Sequence, residues 1–134
     1  MVFPWEFFEE LGEMVYVSEL ENNTLVYMNA YLRNSLGYQS PEEYVGKKCY
    51  EVLQGYHSPC VFCNNSDLEV GKFITWSYKN PIFNRRFLIK DSMVDFRGKK
   101  YRIEIAIDMD SEDLGQVTFL PSRAVEILNG CLQR

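Results

Sequence analysis

The chain has 134 residues, 46% apolar and 25% charged, with a net charge of −5 at pH 7. That length is enough for one domain with a core that needs no disulfide staple, and the acidic balance excludes a protein that works by neutralising a nucleic-acid backbone. No apolar run approaches the roughly 18–20 residues of a membrane span. Met1-Val-Phe-Pro-Trp-Glu6 lacks the basic start of a signal peptide, so the expected location is cytoplasmic, where thiols stay reduced.

Residues 3–11 are expected to form a short amphipathic helix. Pro4 suits its first turn, Phe3, Phe7 and Leu11 recur at i, i+4 and i+8, and Phe8 widens the stripe. The stripe serves either packing onto its own domain or a dimer contact through Phe3, Phe7, Phe8 and Leu11. Residues 14–18 and 24–28 are β-branched and aromatic, and Glu21-Asn22-Asn23 between them supplies the turn of a hairpin. A helix follows from Ala30 to Leu36 and stops at Gly37. Ser40-Pro41-Glu42-Glu43 is a capping box that opens a second short helix, and Ser66-Asp67-Leu68-Glu69 repeats the pattern for a third, ending at Gly71. A further turn is expected at residues 50–53.

The remainder reads as strands over residues 73–78, 86–96 and 101–107. The last alternates strictly. Tyr101, Ile103, Ile105 and Ile107 share one face, and Arg102, Glu104 and Ala106 the other, as in an antiparallel strand with one side on a core. Asp91 and Asp95 fall on the same parity as the apolar Phe87 and Ile89, a local conflict. Residues 108–113 form an acidic exit, and 121–128 could make a last helix stopped by Gly130.

Three places carry a family resemblance: Tyr27-Met28-Asn29 between strand and helix; Leu36-Gly37-Tyr38-Gln-Ser40-Pro-Glu-Glu43 followed by Gly46-Lys47; and Gly98-Lys99-Lys100 leading into the alternating strand that ends at Asp108-Met109-Asp110. Over residues 12–110 the chain resembles a PAS sensor domain of the bacterial sensory-box type. The resemblance implies an α+β fold, a five-stranded antiparallel sheet in the order 2-1-5-4-3 with short helices on one face. Residues 1–12 would be a flanking helix, 13–110 the sensor and 111–134 a linker to an output domain absent from this sequence. It also implies a non-enzymatic regulatory module, a homodimer, that controls a diguanylate cyclase, phosphodiesterase or kinase.

Between sheet and helices such a domain holds a small ligand or a plain aromatic core. The candidate lining is Leu32, Leu36, Tyr44 and Leu53 from the helices. Trp76, Tyr78, Phe87, Ile89, Ile103 and Ile105 face them from the sheet, or the opposite parity on some strands, since one residue of register exchanges the faces.

Cys49, Cys60, Cys63 and His57, the chain's one histidine, crowd the segment between the second and third helices. Cys60 and Cys63 have the C-x2-C spacing of a zinc half-site or a redox pair. Three readings stay open: a metal site, zinc among the choices; a thiol-based redox sensor; and a loop whose cysteines only pack. Haem has His57 alone as an axial ligand, beside a turn-forming Ser-Pro, and the segment lacks the reactive-cysteine motif of the family's flavin-binding light sensors. Both cofactors are discounted.

Overall fold

The apolar run after Gly12 forms β1 (Met14–Glu19), which folds back through Asn22 and Asn23 into β2 (Leu25–Met28). These elements come from a computed structural model that describes residues 4–60 and 63–110. Asn23 takes the left-handed conformation at φ 60°, which asparagine tolerates, and the Thr24 N–H donates to the Asn22 side chain at 3.1 Å. α1 (Ala30–Leu36) starts at Asn29, whose Oδ1 accepts from the Leu32 N–H at 3.2 Å, and ends at Gly37 with φ 79°. The Ser40 capping box opens a single 3-10 turn, Pro41–Glu43, in which the Glu43 carboxylate accepts the Ser40 N–H at 2.9 Å. The turn expected at residues 50–53 is α2 (Cys49–Gln54). β3 (Ile74–Asn80), β4 (Arg85–Phe96) and β5 (Lys99–Asp108) complete the chain order.

The strands form one antiparallel five-stranded sheet in the order β2-β1-β5-β4-β3. The last strand therefore lies in the middle, between the first hairpin and the second.

Three expected helices are shorter or absent, the second being the single turn at Pro41–Glu43. The N-terminal segment is a 3-10 turn over Pro4–Phe8 and not a helix to Leu11. The segment after Ser66 is a 3-10 turn over Asn65–Asp67, and Leu68 leaves it extended. Leu68 is its single buried side chain, so a helix there would have no apolar stripe to bury. The acidic exit beyond residue 110 and the helix expected at 121–128 lie outside the described residues.

Both faces of the sheet are covered. Toward the helices, Met14, Tyr16, Leu25, Met28, Phe87 and Ile89 pack with Leu32, Tyr44 and Leu53. On the opposite face Val15, Val17, Tyr27 and Ile103 pack with Trp5, joined by Phe8, Tyr101 and Ile105. Trp5 is 4% exposed and its ring meets Tyr101 at 4.9 Å and Phe96 at 5.5 Å.

This reverses the expected parity of β5. Ile103 and Ile105 face the N-terminal turn, and Arg102, Glu104 and Ala106 face the helices. The register agrees: Glu104 stands opposite Tyr16 on β1 and Asp91 on β4, both on the helix side. Alternation told which residues share a face. It could not tell that the apolar face is covered by Trp5.

Asn29 anchors the junction of these layers. It is fully buried; its Oδ1 also accepts from the Val15 N–H at 3.1 Å, and its amide donates to the carbonyls of Glu13 at 2.7 Å and Phe8 at 3.1 Å. One side chain thus ties the N-terminal turn, β1 and α1 together. Nearby, Arg33 on α1 forms a two-point ion pair with Glu9 at 2.6 and 2.8 Å.

Candidate functional site

Between the sheet and α2 lies a small, partly open cavity of about 30 Å³. Its walls come from every neighbouring element: Tyr16 from β1, Cys49, Tyr50, Leu53 and Gln54 from α2, Pro59, Cys60 and Cys63 from the connector, Trp76 and Tyr78 from β3, and Arg102 and Glu104 from β5. A second space of about 20 Å³ borders on it, sharing Tyr16, Leu53, Gln54, Tyr78 and Glu104 and adding Leu32, Phe87 and Ile89. Trp76 and Tyr78 stack at 4.9 Å with 22° between their planes and make a flat aromatic wall.

The floor is ionic. Arg102 is 5% exposed, Asp91 0% and Glu104 7%. Arg102 Nη2 lies 2.7 Å from Asp91 Oδ2 and 3.2 Å from Glu104 Oε1. Its Nη1 donates to the side-chain oxygens of Asn64 at 2.5 Å and Asn65 at 2.8 Å, and its Nε to the Tyr16 hydroxyl at 3.3 Å. The guanidinium has five N–H groups and meets five oxygens. Asp91 Oδ2 also accepts from the Trp76 indole at 2.6 Å and the Asn64 amide at 3.2 Å.

Two carboxyls with one guanidinium leave one negative charge too many for a buried site. Burial pushes the Glu104 carboxyl well above the usual carboxylate range, the Asp91 charge adds to this, and Arg102 opposes it. Glu104 on β5 stands opposite Asp91 on β4, and Asp91 Oδ1 has no hydrogen-bond partner among the described residues. Burial likewise holds the Tyr16 hydroxyl protonated and pushes Tyr78 up to about 12.

Asn80 fixes the far end. Its amide donates to the Leu53 carbonyl at 3.0 Å and to the Tyr78 hydroxyl at 3.0 Å, while its oxygen accepts from Ile82 and Phe83 N–H. Gln54 hydrogen-bonds the same Tyr78 hydroxyl. β3 and α2 are therefore clamped across the cavity mouth.

The residues singled out from sequence are distributed as follows. Leu53, Trp76 and Tyr78 line the main cavity, and Leu32, Phe87 and Ile89 the adjoining one. Leu36 and Tyr44 pack in the same core without lining either. Ile103 and Ile105 sit on the other side of the sheet. In the N-terminal segment Phe8 is half-buried, whereas Phe7 is 87% exposed and Leu11 39%; Phe3 lies outside the described residues.

Cys49, Cys60 and Cys63 all border the cavity, but His57 is exposed and does not. Among the described residues no three His, Cys, Asp or Glu side chains stand close enough to hold one ion, so the four-ligand tetrahedron of structural zinc is not assembled. The Cys63 N–H donates to the Cys60 carbonyl at 3.0 Å, which brings the two residues near. Burial pushes the Cys49 thiol up to about 12 and Cys60 up to about 11. Both are held as thiols, the unreactive form.

Tyr16, Gln54, Asn80, Asp91, Arg102 and Glu104 were missed from sequence. The one signal was Asp91, a charge on an apolar parity, which is what a buried carboxyl with a buried cation looks like before its partner is known.

Comparison with solved structures places this fold. The chain is similar to the PAS domain of an HTR-like protein from Haloarcula marismortui (18% identity, TM-score 0.60, covering 77% of this chain and 91% of that one). It is similar also to the PAS domain of nitrogen regulation protein NR(II) from Vibrio parahaemolyticus (12%, 0.59, 81% and 99%) and to a Rhodobacter sphaeroides LOV protein (16%, 0.55, 78% and 64%). No protein-family model matches the chain, and no curated protein does. The chain has the PAS fold. No helix among the described residues is long and apolar enough to cross a membrane.

Proposed function

From a PAS fold with a lined cavity as the premise, we propose that this chain is a non-catalytic sensory module. It binds a small ligand between sheet and helices and passes its occupancy to an attached output domain, a cyclase, phosphodiesterase or kinase. The observation that carries this reading is the composition of the cavity: an aromatic wall, apolar sides and a few convergent, buried polar groups are what a ligand site requires. A core meant only for stability would fill that space with aliphatic side chains and leave no charge there.

The route outward is built into the same residues. Arg102 holds both the cavity floor and the connector at Asn64 and Asn65, and its strand continues between β1 and β4. A change in the floor moves the connector and the central strand together. The exposed Phe7 and Leu11 offer the apolar contact for a dimer through the N-terminal segment. The thiol-based alternative has weaker support, because Cys49 and Cys60 are held protonated and the ligand set for a metal is not brought together.

Native mass spectrometry of the purified chain, followed by thermal-shift screening of small metabolites, tests the reading. The expected result is a retained molecule or a compound that raises the melting temperature saturably. No retained mass and no stabilising compound would count against a ligand sensor.

A further inference from the structure

We propose that the cavity takes a small organic cation, an ammonium or guanidinium group on a short apolar body, with the charge against Glu104 and the body against Trp76 and Tyr78. This rests on the cavity being a ligand site and adds the class of ligand.

An anion finds no donor on the floor. Among the described residues Arg102 is the cavity's one cationic side chain, and its five N–H groups already meet Tyr16, Asn64, Asn65, Asp91 and Glu104. An anion would have to break one of these bonds and would stand beside two carboxyls. A cation meets the reverse situation. Glu104, which borders both cavity spaces, stands beside Asp91 with one guanidinium for the two of them. One more positive charge makes the floor neutral with both carboxyls ionised, and a buried site favours that balance.

The walls select an organic cation over a hydrated inorganic one. Tyr16, Tyr50, Trp76 and Tyr78 line the same cavity as Glu104, and aromatic faces attract a desolvated cation. Among the described residues the lining offers no set of three ligating side chains for a metal ion.

Binding releases a proton. In the empty cavity burial and the Asp91 charge favour the protonated form of the Glu104 carboxyl. When the cation arrives, the Glu104 O–H ionises, the proton passes to buffer and the carboxylate pairs with the ligand. The groups that face Glu104 are Tyr16 from β1, Tyr78 from β3, Asp91 from β4, Arg102 from β5, Cys49 from α2 and Cys60 from the connector. Tyr16, Tyr78, Cys49 and Cys60 are all pushed upward by burial, so none of them supplies the proton near neutral pH.

The test is calorimetric titration of the whole chain at pH 7 with n-butylammonium, n-butanol and n-butyrate, repeated in buffers of different ionisation enthalpy. The expected result is saturable binding of n-butylammonium at least tenfold tighter than of the other two, with release of about one proton and affinity that rises with pH. Glu104→Gln is expected to weaken n-butylammonium at least tenfold and to abolish the proton release, and far-ultraviolet circular dichroism checks that the variant is folded. If that variant does not fold, the buffer dependence of the unaltered chain still decides. Binding of n-butanol or n-butyrate at least as tightly as n-butylammonium overturns the cation and leaves the cavity a ligand site. Binding of none of the three overturns both readings. Binding of n-butylammonium without proton release overturns the role of Glu104.

Discussion

Replacing Arg102 by methionine removes the cation from an almost wholly buried floor. Asp91 and Glu104, 0% and 7% exposed, would be left 2.7 and 3.2 Å from a missing partner. Breaking a buried ion pair from one side costs about 3–5 kcal/mol, a large part of the roughly 5–15 kcal/mol that holds a domain together, and lowers the melting temperature by on the order of 10–20 °C. The Glu104 carboxyl, already raised by burial and by Asp91, would lose the guanidinium that opposes this and titrate further above its unfolded value. Such a group adds stability below the unfolded value and loses it as pH rises through the folded one. The loss from Arg102→Met is therefore smaller at pH 5 than at pH 8. Removing the unpaired charge as well, in Arg102→Met with Asp91→Leu, should recover much of the loss. Urea unfolding followed by circular dichroism at both pH values measures all three chains. A loss below about 1 kcal/mol at pH 8, the range of an exposed pair, would refute the buried floor, and an equal loss at pH 5 and pH 8 would refute its titration.

Glu104→Gln removes the group whose folded value lies above its unfolded one. The unaltered chain should lose stability as pH rises from about 4.5, the unshifted value of that carboxyl, and the variant should show a flatter profile in urea midpoints over the same range. Cys49 and Cys60, held near 12 and 11 against an ordinary 9.0, should alkylate about 10²–10³-fold more slowly in the folded chain than in urea; peptide mass spectrometry reads each site, and equal rates would revive a reactive pair. Asn29→Ala loses the α1 cap and leaves the Val15 N–H and the Glu13 and Phe8 carbonyls short of a partner. It should cost about 2–4 kcal/mol, with the largest rise in hydrogen exchange at the start of β1 and of α1.

Much of the architecture was legible because local signals agreed with the fold. The Asn turn, the Gly37 stop, the Ser40 capping box and the alternating strands each specify a boundary, and their order specifies the sheet. Local pattern failed where a distant segment decided the outcome. Nothing within residues 99–108 shows that Trp5 covers the Ile103 side, so the apolar face of β5 looked like the helix-side core. The capping pattern at Ser66 had a helix-start signal but no buried stripe beyond Leu68, and Arg102 engages Asn64 and Asn65 just before it. The cavity's polar groups are scattered over residues 16–104, and Tyr16, Asp91 and Glu104 meet only through cross-strand register.

β5 is covered on both sides over its middle, and this shapes how the chain can vary. On β3, where half-buried and exposed positions alternate from residue to residue, every second site is free to drift. Arg102, Ile103 and Glu104 are consecutive and all buried, so that stretch has no permissive parity. A substitution scan would show it as a continuous block of intolerance, in which charged sites fail for want of a partner and the isoleucine for want of volume.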